Sequence, residues 1–420
     1  MRVRFPSMKT SAWLSLLAAS TASVPGVVGW GVVGHEIVAT IAQIHLHPAV
    51  LPSICRILNF TSTNPNEPEC HLAPIAGWAD RIRFQKRWSA SLHYIGALGD
   101  HPSDSCVFPG DRGWAGKKDI NVLGGVRNTT DLVEEWVQNE KDGFGGDDDL
   151  ANEALKFLVH FVGDMHMPLH LTGRDRGGNS VKVTFDGRQT NLHSLWDTLL
   201  ISKSLRTIPH NYTRPLPSRT IEHNLRGTIY DSYIRRIMWE GILGKWEDEV
   251  SSWLTCPTSK SSSSSIPSSS SGLVSSAWQQ AISLWSWMRG SNWNADDTDD
   301  DILCPYYWAT PIHSLNCEII WPAALDKPPY SRTKSDRLIT GHKHGASAGE
   351  ELAMFDELVS GGSGGPYLEL DTPEYAGAIY DQWIIEKLLA QGGIRLAGIL
   401  NYLFAPLEGS EAGLSLMHDY

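Results

Sequence analysis

Along most of the chain apolar residues recur every three or four positions, the spacing that collects them on one face of a helix. By that spacing Gly34 to Ile44, Asp149 to Met167 and Leu192 to Ile201 read as helices. Asn224 to Glu240, Ala277 to Met288 and Glu374 to Leu403 follow the same rule, the last with a break expected near Gly392–Gly393. Ser180 to Phe185 alternates instead and ends at Asp186–Gly187, a turn dipeptide, so a short β-hairpin is expected between two of the helices. Pro168 should end the long helix and leave His170 just beyond it, able to turn back. No internal repeat stands out. Ser259 to Gly272 is too polar to pack, and Gly361 to Gly365 too rich in glycine. Both read as surface insertions within one domain, not domain boundaries. The pattern predicts an all-α class: one mainly helical domain, residues 30–420, with one short hairpin.

The first 29 residues break the helical rule. Arg2, Arg4 and Lys9 precede an apolar stretch from Ala12 to Val28, interrupted by Pro25 and followed by Gly29. This reads as a signal peptide, too short and too broken to span a bilayer. Cleavage after Gly29 would start the mature chain at Trp30; cleavage after Ala22 is the alternative. Either leaves about 390 residues, enough for one elaborated helical domain. Cys55, Cys70, Cys106, Cys256, Cys304 and Cys317 make an even set with no Cys-x-x-Cys spacing. Sequons at Asn59, Asn128 and Asn211 fit the same glycosylating, oxidising route. A secreted protein is expected.

A net charge of −12 is the wrong sign for gripping nucleic acid by phosphate neutralisation alone. It suits an enzyme whose bound metal ions supply the local positive charge. Most of the 17 tryptophans should be core, with a few left to stack on bases.

The chemistry concentrates in one stretch. His160 and Asp164, then His193 and Asp197, form two His-x-x-x-Asp pairs with His170 between them. Residues four apart share a helix face, so each pair can aim an imidazole and a carboxylate at one point, as zinc requires. One such pair is as well explained by a side-chain contact; two, with a further histidine, point to metal. Upstream, Asp80 sits among aromatic and basic residues and His93 in an apolar run. Each has a plain alternative, Asp80 as a cap or partner of Arg83, His93 as a core histidine. His45, His47 and His101 read as surface residues, and His342 and His344 as part of a solvated loop.

Several blocks resemble the fungal zinc-dependent single-strand nucleases, also called 3′-nucleotidases. They are Trp30-Gly-x-x-Gly-His35, Trp78-Ala-Asp80, Trp88-Ser-x-Ser-Leu-His93, Phe157-Leu-Val-His160-Phe-x-Gly-Asp164, Pro168-Leu-His170, Gly177-Gly-Asn179, and Asn191-Leu-His193-Ser-x-Trp-Asp197. Gln391-Gly-Gly-Ile-Arg395 is similar to the family's closing helix. The likeness is dense from 30 to about 200 and patchy afterwards, with insertions at about 256–305 and 322–366. It implies three zinc ions: one held by Asp80, His93, His160 and Asp164, a second by His170, His193 and Asp197, a third by Trp30, His35 and a shared oxygen of Asp164. It implies single-stranded DNA, RNA and 3′-nucleotides as partners, cleavage to 5′-phosphorylated products, and a monomer with no protein partner and no membrane. Asp80 and Asp164 would serve catalysis through the metals, Arg83 would grip phosphate or else pair with Asp80, and Tyr94 and Asn179 would contact substrate. The resemblance also pairs Cys106 with Cys317; Cys55 with Cys70 would close a short loop beside a sequon and Cys256 with Cys304 would staple the serine-rich insertion, although Cys304 and Cys317 are close enough to swap.

One position departs from that pattern. Gly96 stands where the family has an aspartate that contacts the base, which leaves base preference open. Two other readings compete: a zinc phospholipase C, and a silent homologue that binds zinc without turnover.

Overall fold

Three helices, Val32–Ile44, Asp148–Met165 and Ile384–Phe404, supply the core against which the rest is laid. In the computed structural model, residues 30–110, 112–257, 299–331 and 366–408 are described. The helices in chain order are α1 (Val32–Ile44), α2 (Val50–Leu58), α3 (Ala73–Ala76), α4 (Trp78–Ile82), α5 (Val122–Lys141), α6 (Asp148–Met165) and α7 (Leu192–Ser194). Then follow α8 (Leu200–Arg206), α9 (Arg219–Leu225), α10 (Asp231–Arg236), α11 (Pro305–Leu315), α12 (Ala378–Asp381) and α13 (Ile384–Phe404). The mainly helical class is as expected. Among the described residues no helix is long and apolar enough to cross a membrane.

The long helix α6 starts where Asp147 caps it, its carboxylate accepting from the Leu150 amide at 3.0 Å, with Asp148 and Asp149 in the first turn. It ends at Met165, since Met167 takes the extended backbone that a following proline imposes. Nearly every residue from Ala154 onward is buried, so α6 is a central strut rather than a surface helix.

Three expectations change. Gly392–Gly393 does not break α13, which runs unbroken through both. A Cβ on Gly393 would lie 2.4 Å from Ile41 Cγ2, so the glycine lets α13 pack closely on α1. The break falls earlier, at Trp383, whose φ is +58°. The helix expected over Asn224 to Glu240 is two, α9 and α10, parted by a turn around Gly227 at φ +82°. The hairpin forms, β1 (Lys182–Phe185) against β2 (Arg188–Asn191), but a third strand, β3 (Leu368–Glu369), adds parallel to β1. The helix expected over Ala277 to Met288, the serine-rich tract and residues 1–29 lie outside the described residues.

The sequence reading also passes over α5. Its apolar stripe of Val122, Val126, Val133 and Val137 is diluted by Gly124, Gly125, Thr129 and Thr130, poor helix formers. The threonine hydroxyls bond back to the carbonyls of Gly125 and Val126 at 2.8 Å. Gly125 lets the helix approach Phe161 of α6.

Candidate metal centre

Asp80 lies in the first turn of α4, and His160 and Asp164 lie one turn apart on α6. His93 closes the 3₁₀ turn Arg87–His93. His35 comes from the buried face of α1, and His170 from the 3₁₀ turn after Pro168. His193 sits on α7 and Asp197 in the π turn Leu195–Leu199 that joins α7 to α8. All eight side chains are buried.

They gather into three groups whose ligating atoms lie within 4.8 Å of one another: His35, His160 and Asp164; Asp80, His93 and His160; and His170, His193 and Asp197. Asp164 joins them. Its Oδ2 lies 2.9 Å from His93 Nδ1 and 3.2 Å from His160 Nε2, while its Oδ1 lies 3.3 Å from His35 Nε2 and 3.4 Å from His170 Nδ1. His193 Nε2 and Asp197 Oδ2 are 3.1 Å apart.

Backbone carbonyls orient three of the rings. Nδ1 of His160 donates to Ala76 O at 2.7 Å, Nδ1 of His170 to His93 O at 2.5 Å, and Nδ1 of His193 to Gly177 O at 2.7 Å. Each leaves Nε2 as the lone-pair nitrogen, the arrangement by which proteins present histidine to a metal. Both oxygens of Asp80, Oδ1 of Asp164 and of Asp197, both nitrogens of His35, and Nε2 of His93 and His170 are buried without a hydrogen-bond partner. Each such atom costs about 1–3 kcal/mol unless something satisfies it. Imidazole nitrogens and carboxylate oxygens orphaned in one place are a donor set for zinc, so the residues fit the ions expected of them.

Without metal the cluster divides its protons unevenly. Burial alone would lower His160, but the carboxylates of Asp164 and Asp80 outweigh it and raise its pKa to about 9. Burial would likewise raise Asp164, yet the neighbouring His160 and His170 hold it well below the usual carboxylate range. Burial pushes Asp197 up to about 7 and His170 down to about 3. A metal at these positions therefore displaces protons as it binds.

Trp30 is fully buried, and the amide of Gly31 donates to Asp197 O at 3.0 Å, so the segment around Trp30 meets the His193–Asp197 pair. Gly34 keeps room for Trp30, since a Cβ there would fall 2.8 Å from Trp30 Cβ. Tyr94 is 53% exposed beside His93. Arg83 makes no ion pair with Asp80; its guanidinium lies over the Phe84 ring at 5.1 Å. Asn179 turns inward on its own loop, its Nδ2 donating to Arg176 O at 2.8 Å. Gly96 is packed tightly: a Cβ there would lie 2.7 Å from Gly173 N.

Sequence reasoning missed the residues that hold this frame. Asp175, Arg176, Gly177 and Gly178 form a left-handed run, with φ of +46°, +59°, +62° and +81°. The two that are not glycine cost about 1–2 kcal/mol each, and the run aims the Gly177 carbonyl at His193. A fourth group, Asp100, Cys106 and His313, is structural: Cys106 is in a disulfide, and Asp100 accepts from Val107 N, Thr172 Oγ1 and His313 Nε2. His45, His47 and His101 are half-buried rather than surface residues, and His45 Nδ1 bonds Ile41 O. The disulfides join Cys55 to Cys70, Cys106 to Cys317 and Cys256 to Cys304.

Comparison with known proteins places the chain in a family. The profile of the family described as S1/P1 Nuclease matches residues 30–280. Endonuclease 2 of Arabidopsis thaliana is 30% identical over 240 residues, which span 56% of this chain and 71% of the plant protein. Nuclease P1 of Penicillium citrinum is 38% identical over 176 residues, 41% of this chain and 59% of the fungal one. Nuclease S1 of Aspergillus oryzae (strain ATCC 42149 / RIB 40) is 36% identical over 189 residues, 44% and 59% of the two chains.

Proposed function

Because the chain belongs to the S1/P1 nuclease family and is by that membership a nuclease, we propose that it is a secreted, zinc-dependent endonuclease of single-stranded DNA and RNA. Its products carry a 5′-phosphate, and it also removes the phosphate of 3′-nucleotides. The observation that carries this reading is the set of three adjoining clusters around Asp164, with orphaned nitrogens and oxygens turned into it. In this reading Asp80, His93, His160 and Asp164 hold one ion, His170, His193 and Asp197 a second, and Trp30, His35 and Asp164 a third. Bound zinc would activate water and screen the charge that develops on the phosphoryl and departing oxygens.

The protein's own groups do the rest. The ring of Tyr94, exposed beside His93, offers a face on which a base stacks. Arg83 is free of Asp80 and can grip a phosphate oxygen pair bidentately. Asn179 reaches substrate only if its amide leaves the Arg176 carbonyl. The chain's negative charge leaves local metal charge, rather than a basic surface, to hold the phosphodiester. Secretion is supported by three disulfides, by sequons whose Asn59, Asn128 and Asn211 are all exposed, and by a family match that begins at Trp30.

The test is a substrate panel on the secreted, zinc-loaded protein: single- and double-stranded DNA, RNA, a 3′-nucleotide and phosphatidylcholine. Cleavage of single strands to 5′-phosphorylated ends supports the reading. Turnover of phosphatidylcholine alone, or zinc bound with no turnover of any phosphodiester, contradicts it.

A further inference from the structure

The two stretches that flank residues 332–365 close on the frame of the His170–His193–Asp197 cluster from both sides. On the first, Asp326 accepts from both terminal nitrogens of Arg174, Nη1 to Oδ2 at 3.1 Å and Nη2 to Oδ1. The guanidinium also lies 4.3 Å over the Trp321 ring, and Ser103 Oγ donates to Asp326 Oδ2 at 3.3 Å. The Arg174 side chain is only 5% exposed. Arg174 opens the left-handed run, its carbonyl accepting from Gly178 N at 3.1 Å, and the run delivers the Gly177 carbonyl to His193 Nδ1.

On the second, Tyr375 Oη accepts from Trp196 Nε1 at 2.8 Å and donates to Ile320 O at 2.7 Å. Trp196 is fully buried and precedes Asp197. Ile320 adjoins Trp321, so the two brackets meet on one short segment.

We infer that Asp326 and Tyr375 are positioning residues for the second metal cluster, Asp326 acting through Arg174 on His193 and Tyr375 through Trp196 on Asp197. Neither touches a ligating atom. Four successive left-handed residues are costly, so their shape gains from an outside anchor, and a bidentate carboxylate–guanidinium pair with its guanidinium buried is a rigid one. Both residues lie beyond residues 30–280, the stretch matched by the family profile. The inference rests on the zinc reading above.

The test compares Asp326→Asn and Tyr375→Phe with the unaltered protein, titrating zinc against a competing chelator and melting the metal-free forms. Outer residues that orient ligands change metal affinity about 10–100-fold. Each variant should therefore weaken one of three zinc equivalents by about that factor and leave the other two unchanged. A lower melting point of the metal-free form with all three affinities intact would mean a purely structural role and overturn the inference. Should Asp326→Asn fail to fold, Tyr375→Phe, which removes a single oxygen, decides by the same criterion. If the unaltered protein itself binds fewer than three zinc ions, the zinc reading fails instead.

Discussion

Asp164 is the residue on which the three clusters turn, because its two oxygens face four imidazoles. Asp164→Asn keeps the shape and removes the charge, and it should lower nuclease activity more than about a hundredfold, since even residues outside the ligand shell are worth about 10–100-fold. Zinc content should fall with it; near-normal turnover would mean that the clusters are misassigned. Gly96 makes a second prediction at this scale. Ile95 N donates to His170 O at 2.8 Å, so the strands of chain bearing His93 and His170 run side by side, and Gly96 and Gly173 touch backbone to backbone. Gly96→Ala should cost about 1–3 kcal/mol of stability and loosen zinc binding, read by thermal unfolding with and without zinc. A protein that accepts the methyl group without loss would refute the close contact. The aspartate found at this place in the family has no room here either. The two His-x-x-x-Asp pairs were legible in the sequence, because that spacing states a helix face directly; His35, Asp80 and His93 came only through the family resemblance, since no local spacing ties them to the pairs. Their orienting carbonyls, on Ala76, His93 and Gly177, were not, since any residue type carries a carbonyl and only the folded chain brings it to the ring.

Among the elements, α6 and α13 meet through His166 and Arg395, both buried. His166 Nδ1 donates to Val162 O at 2.7 Å and its Nε2 accepts from Arg395 Nη1 at 2.8 Å. Burial, then the Arg395 charge, pushes the pKa of His166 down from 6.5 to about 3. The unfolded chain therefore binds more protons than the fold across that interval. Stability from this group is complete above about pH 6.5 and is lost as pH falls toward 3. Urea unfolding of the zinc-free protein should show stability declining below pH 6.5, less steeply in His166→Asn, which should start about 1–3 kcal/mol lower at pH 7. Equal slopes for the two proteins would contradict this. Helix identity was mostly legible from apolar spacing, as α1 and α6 show. Glycine misled it twice, at Gly392–Gly393 and at Gly125, where the missing Cβ admits a neighbouring helix and does not end its own. Strand β3 is two residues long and pairs with a strand almost 200 positions earlier, so no local pattern announces it.

At the scale of the whole molecule, the expected organisation depends on where the mature chain starts. Trp30 is buried with its neighbour Gly31 bonded to Asp197 O, which places the segment beside the clusters. If its α-amine is a ligand, one extra residue turns that amine into an amide, a far poorer donor. A form secreted with an added N-terminal alanine should fold, keep zinc at the two sites made of side chains, and lose much of its activity. The most direct measurement is zinc content of the secreted protein by elemental analysis, with sequencing of its N-terminus. Three zinc ions per chain and a first residue of Trp30 are predicted. One ion or none, or full activity from a chain that begins elsewhere, would contradict the trinuclear account.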